Sequence, residues 1–239
     1  MKEKIIYLSI FIFIVILIVS SYFIIKEYRE YKNNYTYSIE LIDEVMTEDA
    51  VEEDRNLDWN KLNKKNKDII GWIKIQGTNI DYPIVKDTDK LYYLKHTIDG
   101  EYSKSGSIFT LNTNPFKEKE TTIYGHNMKN SLMFSQLDQY MKKDFLKEHG
   151  VFEIYTEEQN YKATIFSCYS TGLEKEESNL KGLTFNEKIE YYKNNSKHVV
   201  EDIGEIEKIV KLSTCSYINN TESVTNQRYY IVAKLEKLK

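Results

Sequence analysis

The chain has 239 residues, 41% of them hydrophobic and 29% charged, with 33 Lys+Arg against 37 Asp+Glu and a formal net charge of −4. That composition excludes a disordered chain, and its slight acidity argues against a nucleic-acid binder. Two cysteines, Cys168 and Cys215, exclude a disulfide framework and a Cys-rich zinc site, and the four histidines (His96, His126, His149, His198) lack metal-ligand spacing.

Ile5 to Ile25 contains no charged residue. As a helix this run spans ~31 Å, about one hydrocarbon core. A cleaved signal peptide has a shorter apolar region and a small-residue cleavage site. The length and the lack of an Ala-x-Ala site favour an uncleaved anchor over 1–25. No second apolar run follows, so everything C-terminal of the anchor is expected on one side of the membrane, outside the cell. Residues 26–57 read as a polar helical stalk. Tyr28, Tyr31, Tyr35, Ile39, Ile42 and Met46 form one apolar stripe, and Glu48, Asp49, Glu52, Glu53 and Asp54 make its far end acidic.

From Asp58 the pattern changes. Asp58 caps a short helix that runs through Leu62 to Ile69, with Gly71 as its stop. Eight segments rich in β-branched and aromatic residues follow, at 72–75, 79–85, 106–111, 121–125, 151–156, 161–170, 207–217 and 228–235. Two helical patterns interrupt them. One runs through Leu132, Leu137, Tyr140, Phe145 and Leu146. The other starts at the capping box Thr184-x-x-Glu187 and ends before His198. This predicts a mainly β domain over 58–239, an eight-stranded barrel rather than a parallel α/β sheet.

In Ile209–Tyr217, period-two alternation puts Lys211, Ser213 and Cys215 on one face and Val210, Leu212 and Thr214 on the other. Cys215 thus sits with polar residues at a strand end, which leaves a reactive thiol and a buried one both open. Cys168, mid-strand between Phe166 and Tyr169, reads as a core thiol; a Cys168–Cys215 disulfide is the other possibility. His126 follows a strand end and the flexible Gly125. His149 reads as a cation at a helix C-terminus, and His96 and His198 as surface residues. Arg228 opens the last strand, in a chain whose common cation is lysine and whose other arginines are Arg29 and Arg55. A Cys nucleophile, a His to exchange protons and an Arg to hold an oxyanion form a coherent acyl-transfer set.

Leu212-Ser-Thr-Cys215 resembles the Leu-x-Thr-Cys signature of the sortases, membrane-anchored cysteine transpeptidases of Gram-positive bacteria. Tyr124-Gly-His126-Asn resembles their histidine motif, and Arg228 stands in the place of their arginine. Asp58-Trp-Asn-x-Leu, Ile70-Gly-Trp-Ile-Lys-Ile and Asn79-Ile-Asp-Tyr-Pro-Ile-Val85 are similar to the N-terminal region of class B, as is a helix inserted at about 185–198 before the Cys215 strand. The chain departs from that class at Phe109–Pro115 and in the 13 positions from Cys215 to Arg228.

The resemblance implies a sortase-type barrel with Cys215 as nucleophile, His126 as proton donor and Arg228 as oxyanion holder. It implies cleavage of an Asn-Pro-x-Thr type sorting motif after Thr through a thioester, with transfer to a peptidoglycan precursor or cross-bridge amine. Ser213, Thr214, Tyr124 and Leu180, the last in a 171–184 loop that walls the groove, are expected at the substrate. The implied partners are surface proteins with a C-terminal sorting signal, the acceptor amine and the membrane; no cofactor, metal or nucleic acid is implied. A cysteine peptidase that only hydrolyses, or a membrane-anchored binding domain without activity, would share some of these features.

Overall fold

The computed structural model describes residues 2–46, 56–89, 91–128, 131–200, 203–215 and 226–238. The chain divides between Asn56 and Leu57 into two units. The first is a single helix, α1 (Lys2–Val45). Its Lys4–Lys26 stretch has a mean hydropathy of 2.9 and no buried residue, and is long and apolar enough to cross a membrane. The polar segment expected as a stalk continues the same helix through Val45; the acidic residues Glu48 to Asp54 lie outside the described residues.

The second unit opens with α2 (Trp59–Lys65). Its cap is the expected one, with the Lys61 N–H donating to Asp58 Oδ1 at 3.0 Å. The helix ends at Asn66, short of the expected Ile69, because Asn66 is already extended. Gly71 is not its stop but part of the first strand, where a Cβ would sit 3.2 Å from the Tyr155 carbonyl.

Among the described residues eight strands follow: β1 (Ile69–Lys74), β2 (Asp81–Lys86), β3 (Ile108–Thr110), β4 (Glu120–Tyr124), β5 (Val151–Tyr155), β6 (Tyr161–Gly172), β7 (Ile209–Cys215) and β8 (Gln227–Lys237). They close into a barrel in the order β1-β2-β3-β4-β7-β8-β6-β5. The pairs β2–β3 and β4–β7 are parallel and the rest antiparallel. Among the described residues every strand has a hydrogen-bonded neighbour on both sides. The Leu132–Leu146 pattern is not one helix. A 3₁₀ segment (Ser135–Met141) is separated from α3 (Lys143–His149) by Lys142, whose backbone is extended.

Register assigns the faces. Thr121, Ile123, Val210, Leu212, Ile231, Ala233 and Cys168 pair across β4, β7, β8 and β6 and are buried inside the barrel. A β-bulge between Ile165 and Ser167 lets β6 keep Cys168 inside while Tyr169 faces out. The outer face carries Tyr169, Tyr230, Val232 and Ile209, which pack with Phe166, Ile189 and Tyr192 into a second hydrophobic cluster. Two helices cover it. One is α5 (Phe185–Asn195), whose capping box at Thr184 and Glu187 is formed as the sequence predicts. The other, α4 (Leu173–Leu180), lies where the sequence suggested only a loop.

A buried charged network joins these helices to the strands. Lys211 on β7 lies 3.4 Å from Glu120 Oε1 and 3.6 Å from Glu176 Oε1, joining a β4 carboxylate to an α4 one. Glu120 also accepts from Lys188 at 2.9 Å and Tyr192 at 2.7 Å, both on α5. Glu176, 2% exposed, accepts from Tyr169 at 2.6 Å and Tyr191 at 3.0 Å. Burial pushes the Glu120 carboxyl up, but the Lys211 charge and the Lys188 and Tyr192 hydrogen bonds outweigh it and hold the group below its ordinary range. Burial first, and then the neighbouring carboxylates, push the Tyr169 and Tyr192 hydroxyls strongly up, so both stay neutral donors.

A carboxylate with a depressed folded value stabilises the fold at pH above its unfolded value of ~4.3, and the benefit is lost as pH falls through the folded value. Glu120→Gln should therefore cost about 1.5–3 kcal/mol near neutral pH, as expected for hydrogen bonds to a charged group. The gap to the wild type should close as the pH falls below about 4. Denaturant unfolding of both proteins across that range is the check; a gap independent of pH would show that Glu120 contributes only as a neutral packing group.

Candidate active site

The parallel β4–β7 pair sets Tyr124 beside Ser213. The pairing persists one step further, with the Gly125 N–H donating to the Ser213 carbonyl at 3.2 Å. One residue beyond Gly125 is His126, and two beyond Ser213 is Cys215, so the two chains leave the barrel side by side at the same end. On its other edge β7 runs antiparallel to β8, and the partner of Cys215 is Arg228. Three positions from distant parts of the sequence thus meet on adjacent strands.

Local packing explains the residue types. A Cβ on Gly125 would come within 2.5 Å of Ile108 Cδ1 and 2.7 Å of the Phe134 ring, so only glycine lets β4 exit here. The His126 backbone is pinned by its carbonyl, which accepts from the Phe134 N–H at 2.9 Å, and the half-buried ring places Nε2 2.8 Å from the Leu94 carbonyl oxygen. The Arg228 guanidinium donates from Nη1 to the Gln227 carbonyl at 2.9 Å and is half-buried. Cys215 is the last residue of β7, and alternation puts its position on the outer face with Lys211 and Ser213. Most of the loop that follows it lies outside the described residues.

The expected groove residues separate into two groups. Tyr124 and Leu180 come together on a cavity of about 570 Å³ against the outer face of β4, which Thr122, Leu183, Phe185 and Lys211 also line. Tyr124 stacks on Phe109 at 5.5 Å, and burial, followed by the Glu177 and Glu120 charges, raises its hydroxyl pKa. Ser213 shares that outer face but is 3% exposed, opposite Tyr230. Thr214 points the other way, into the barrel, and is also buried. The 171–184 segment does border the cavity, through the end of α4 and the turn to α5 rather than as a loop.

The remaining histidines lie elsewhere. His149 ends α3, as read from sequence. His96 and His198 are not simple surface residues: His96 stacks on Tyr92 at 4.0 Å, and His198 Nε2 lies 2.9 Å from the Met141 carbonyl. Cys168 is a free, fully buried thiol, and burial pushes its pKa up to about 12. Sequence reasoning missed Glu120, Glu176 and Lys188. A charged residue inside a strand or helix reads as solvated unless its partner, far away in sequence, is known.

Residues 73–236 match the family model of the sortase domain. The chain belongs to the sortase family. The Sortase B of Listeria monocytogenes is 47% identical over 112 residues, a match spanning 46% of this chain and 46% of that protein. The Sortase B of Staphylococcus aureus is 29% identical over 237 residues, 94% of each chain. The solved Staphylococcus aureus sortase B–substrate complex superposes with a TM-score of 0.69 at 27% identity, covering 90% of this chain and 98% of that one. These relatives make the chain a class B sortase, in a family of cysteine transpeptidases.

In this sortase the two thiols should differ sharply. A thiol alkylator applied to the native protein should leave Cys168 unmodified until denaturant is added, and mapping by mass spectrometry would detect any earlier reaction. Gly125→Ala overpacks the space between Ile108 and Phe134 and should cost about 1–3 kcal/mol. It should also slow turnover by displacing His126, measured by denaturant unfolding alongside peptide-cleavage kinetics.

Proposed function

We propose that this chain is a membrane-anchored transpeptidase that joins surface proteins to the cell wall, with Cys215, His126 and Arg228 as its catalytic residues. The observation that carries the reading is the strand register: the parallel β4–β7 pair and the antiparallel β7–β8 pair bring the three positions to one barrel end. A nucleophile, a proton carrier and a fixed guanidinium are what acyl transfer through a thioester requires. The family supports the same reading.

The substrate is a sorting motif of Asn-Pro-x-Thr type on a surface protein. The cavity that Tyr124, Leu180 and Leu183 share with Glu120, Lys188 and Lys211 offers part of the substrate an aromatic and aliphatic contact with charged groups around it. The Cys215 thiolate attacks the Thr carbonyl carbon, forming the C–S bond and a tetrahedral oxyanion held by Arg228. Protonated His126 gives its proton to the departing amine as the C–N bond breaks. A peptidoglycan amine then attacks the thioester. It forms the new peptide bond, returns the thiolate and passes its proton to His126. The thioester conserves the energy of the cleaved bond, so the cycle uses no nucleotide. The Lys4–Lys26 helix anchors the enzyme, and the catalytic unit lies outside the cell.

The full-length chain in detergent micelles, incubated with an Asn-Pro-x-Thr peptide and an amine acceptor, should yield a thioester on Cys215 and a ligated product by mass spectrometry. Hydrolysis with no ligation to any cell-wall amine would indicate a peptidase instead. Arg228→Ala should lower kcat by ~10²–10³, as loss of an oxyanion donor does. Arg228→Lys should recover only part, because the charge remains while the planar fork of donors is lost. A rise in KM with kcat intact would make Arg228 a substrate-positioning contact.

A further inference from the structure

A neutral imidazole has one donor nitrogen and one acceptor, and a neighbour that can only accept decides which is which. The Leu94 carbonyl, 2.8 Å from His126 Nε2, is such a neighbour. It requires the hydrogen on Nε2, which leaves Nδ1 as the nitrogen with a lone pair. In paired nucleophile–base sites a third group usually orients the base. No carboxylate is hydrogen-bonded to His126 among the described residues, and the partner it has comes from a segment 32 positions away.

That carbonyl is held from several sides. Leu94 ends the 3₁₀ turn Tyr92–Leu94, which starts from Leu91 in the left-handed region at φ +76°. The Tyr93 N–H donates to Asp87 Oδ2 at 3.0 Å, and Asp87, 5% exposed, uses Oδ1 to accept from the Asp89 N–H at 3.0 Å. The Tyr93 hydroxyl donates to Asp68 at 2.7 Å and accepts from Asn66 at 2.8 Å. The Tyr93 carbonyl accepts from the Ser107 N–H at 2.9 Å, and the Lys95 carbonyl from the Ser103 N–H at 2.9 Å. Gly106, at φ +57°, passes so close that a Cβ there would lie 2.5 Å from the Leu94 oxygen. A surface turn that only linked β2 to β3 would not need a buried carboxylate and a glycine-only approach to keep one carbonyl in place.

We propose that the Leu94 carbonyl is the positioning group for His126. It holds the Nε2–H tautomer and makes Nδ1 the nitrogen that gives a proton to the leaving amine and regains one from the acceptor amine. Asp87 and Gly106 are the residues that hold that carbonyl. The inference rests on His126 being the proton carrier, and its test separates the two. In the full-length chain, ¹⁵N-histidine-labelled and in detergent micelles, long-range ¹H–¹⁵N correlation reads the tautomer of neutral His126 without reference to activity; His126→Gln assigns the signal. The Nε2–H form should dominate. Gly106→Ala pushes the carbonyl away, so it should lose that preference and lower kcat by up to ~10², the effect of a displacement of about 1 Å at a reacting group. KM should change little.

Asp87→Ala should act in the same direction. Asp87→Asn, which keeps one acceptor oxygen, should recover part of the loss. A wild-type spectrum dominated by Nδ1–H would overturn the proposal even if His126 were essential and both variants failed to fold. So would a folded Gly106→Ala protein with the wild-type tautomer and kcat. Full activity in His126→Gln would instead remove the proton-carrier reading, leaving the tautomer measurement to stand alone.

Discussion

The barrel end that carries His126 and Cys215 depends on the parallel pairing of β4 with β7. Parallel neighbours run the same way, so the residues that follow each of them emerge at the same end of the barrel. An antiparallel pair in the same place would send His126 and Cys215 to opposite ends. The pairing requires the chain to leave after β4, build β5 and β6, cross the outer face through α4 and α5, and return into β7. Parallel strands cannot be joined by a hairpin, so a long crossover is unavoidable. Here the crossover also forms one wall of the cavity beside Tyr124.

Keeping that crossover in place falls partly to charge. Glu120, Lys211 and Glu176 link a central strand pair to α4, and Lys188 and Tyr192 link it to α5. Burying such groups carries a desolvation cost that is offset only when hydrogen bonds complete the set. Tyrosine hydroxyls do this here, and the Lys211 ammonium also lies over the rings of Tyr192 and Tyr230 at 5.3 and 5.6 Å. Directional partners fix where a helix rests, whereas an apolar contact alone would let it slide. The hydrophobic cluster around Tyr192 and Tyr230 supplies the burial, and the polar network supplies the register.

Backbone strain gathers around His126. Leu91, Ser131 and Met133 all have positive φ without being glycine. Met133 bridges to Asn127, and the neighbouring Phe134 N–H holds the His126 carbonyl. The Leu91 turn presents the Leu94 carbonyl to the ring. Such conformations cost about 1–3 kcal/mol each and persist only where surrounding contacts over-determine them. Both loops that flank the histidine are built this way.

Much of the architecture was legible in sequence because its signals are local. The apolar run from Ile5, the Asp58 cap, the Thr184 capping box and the period-two strands each follow from neighbouring residues. So do the three chemically suited positions Cys215, His126 and Arg228, once their motifs are seen together. The α4 helix escaped because its buried anchor is Glu176, a residue that reads as solvent-facing when its tyrosine partners are unknown. The Leu132–Leu146 pattern was read as one helix because apolar spacing does not reveal the break at Lys142. Thr214 stood beside Ser213 in the motif, yet strand alternation sends its side chain into the barrel. By itself the sequence determined most of the strands, the apolar N-terminal helix and which residue types could react, since propensity and periodicity act over a few residues. Only the tertiary structure decided which strands pair in parallel, which carboxylates share Lys211 and which carbonyl faces His126, because these are contacts between segments that distance along the chain leaves unspecified.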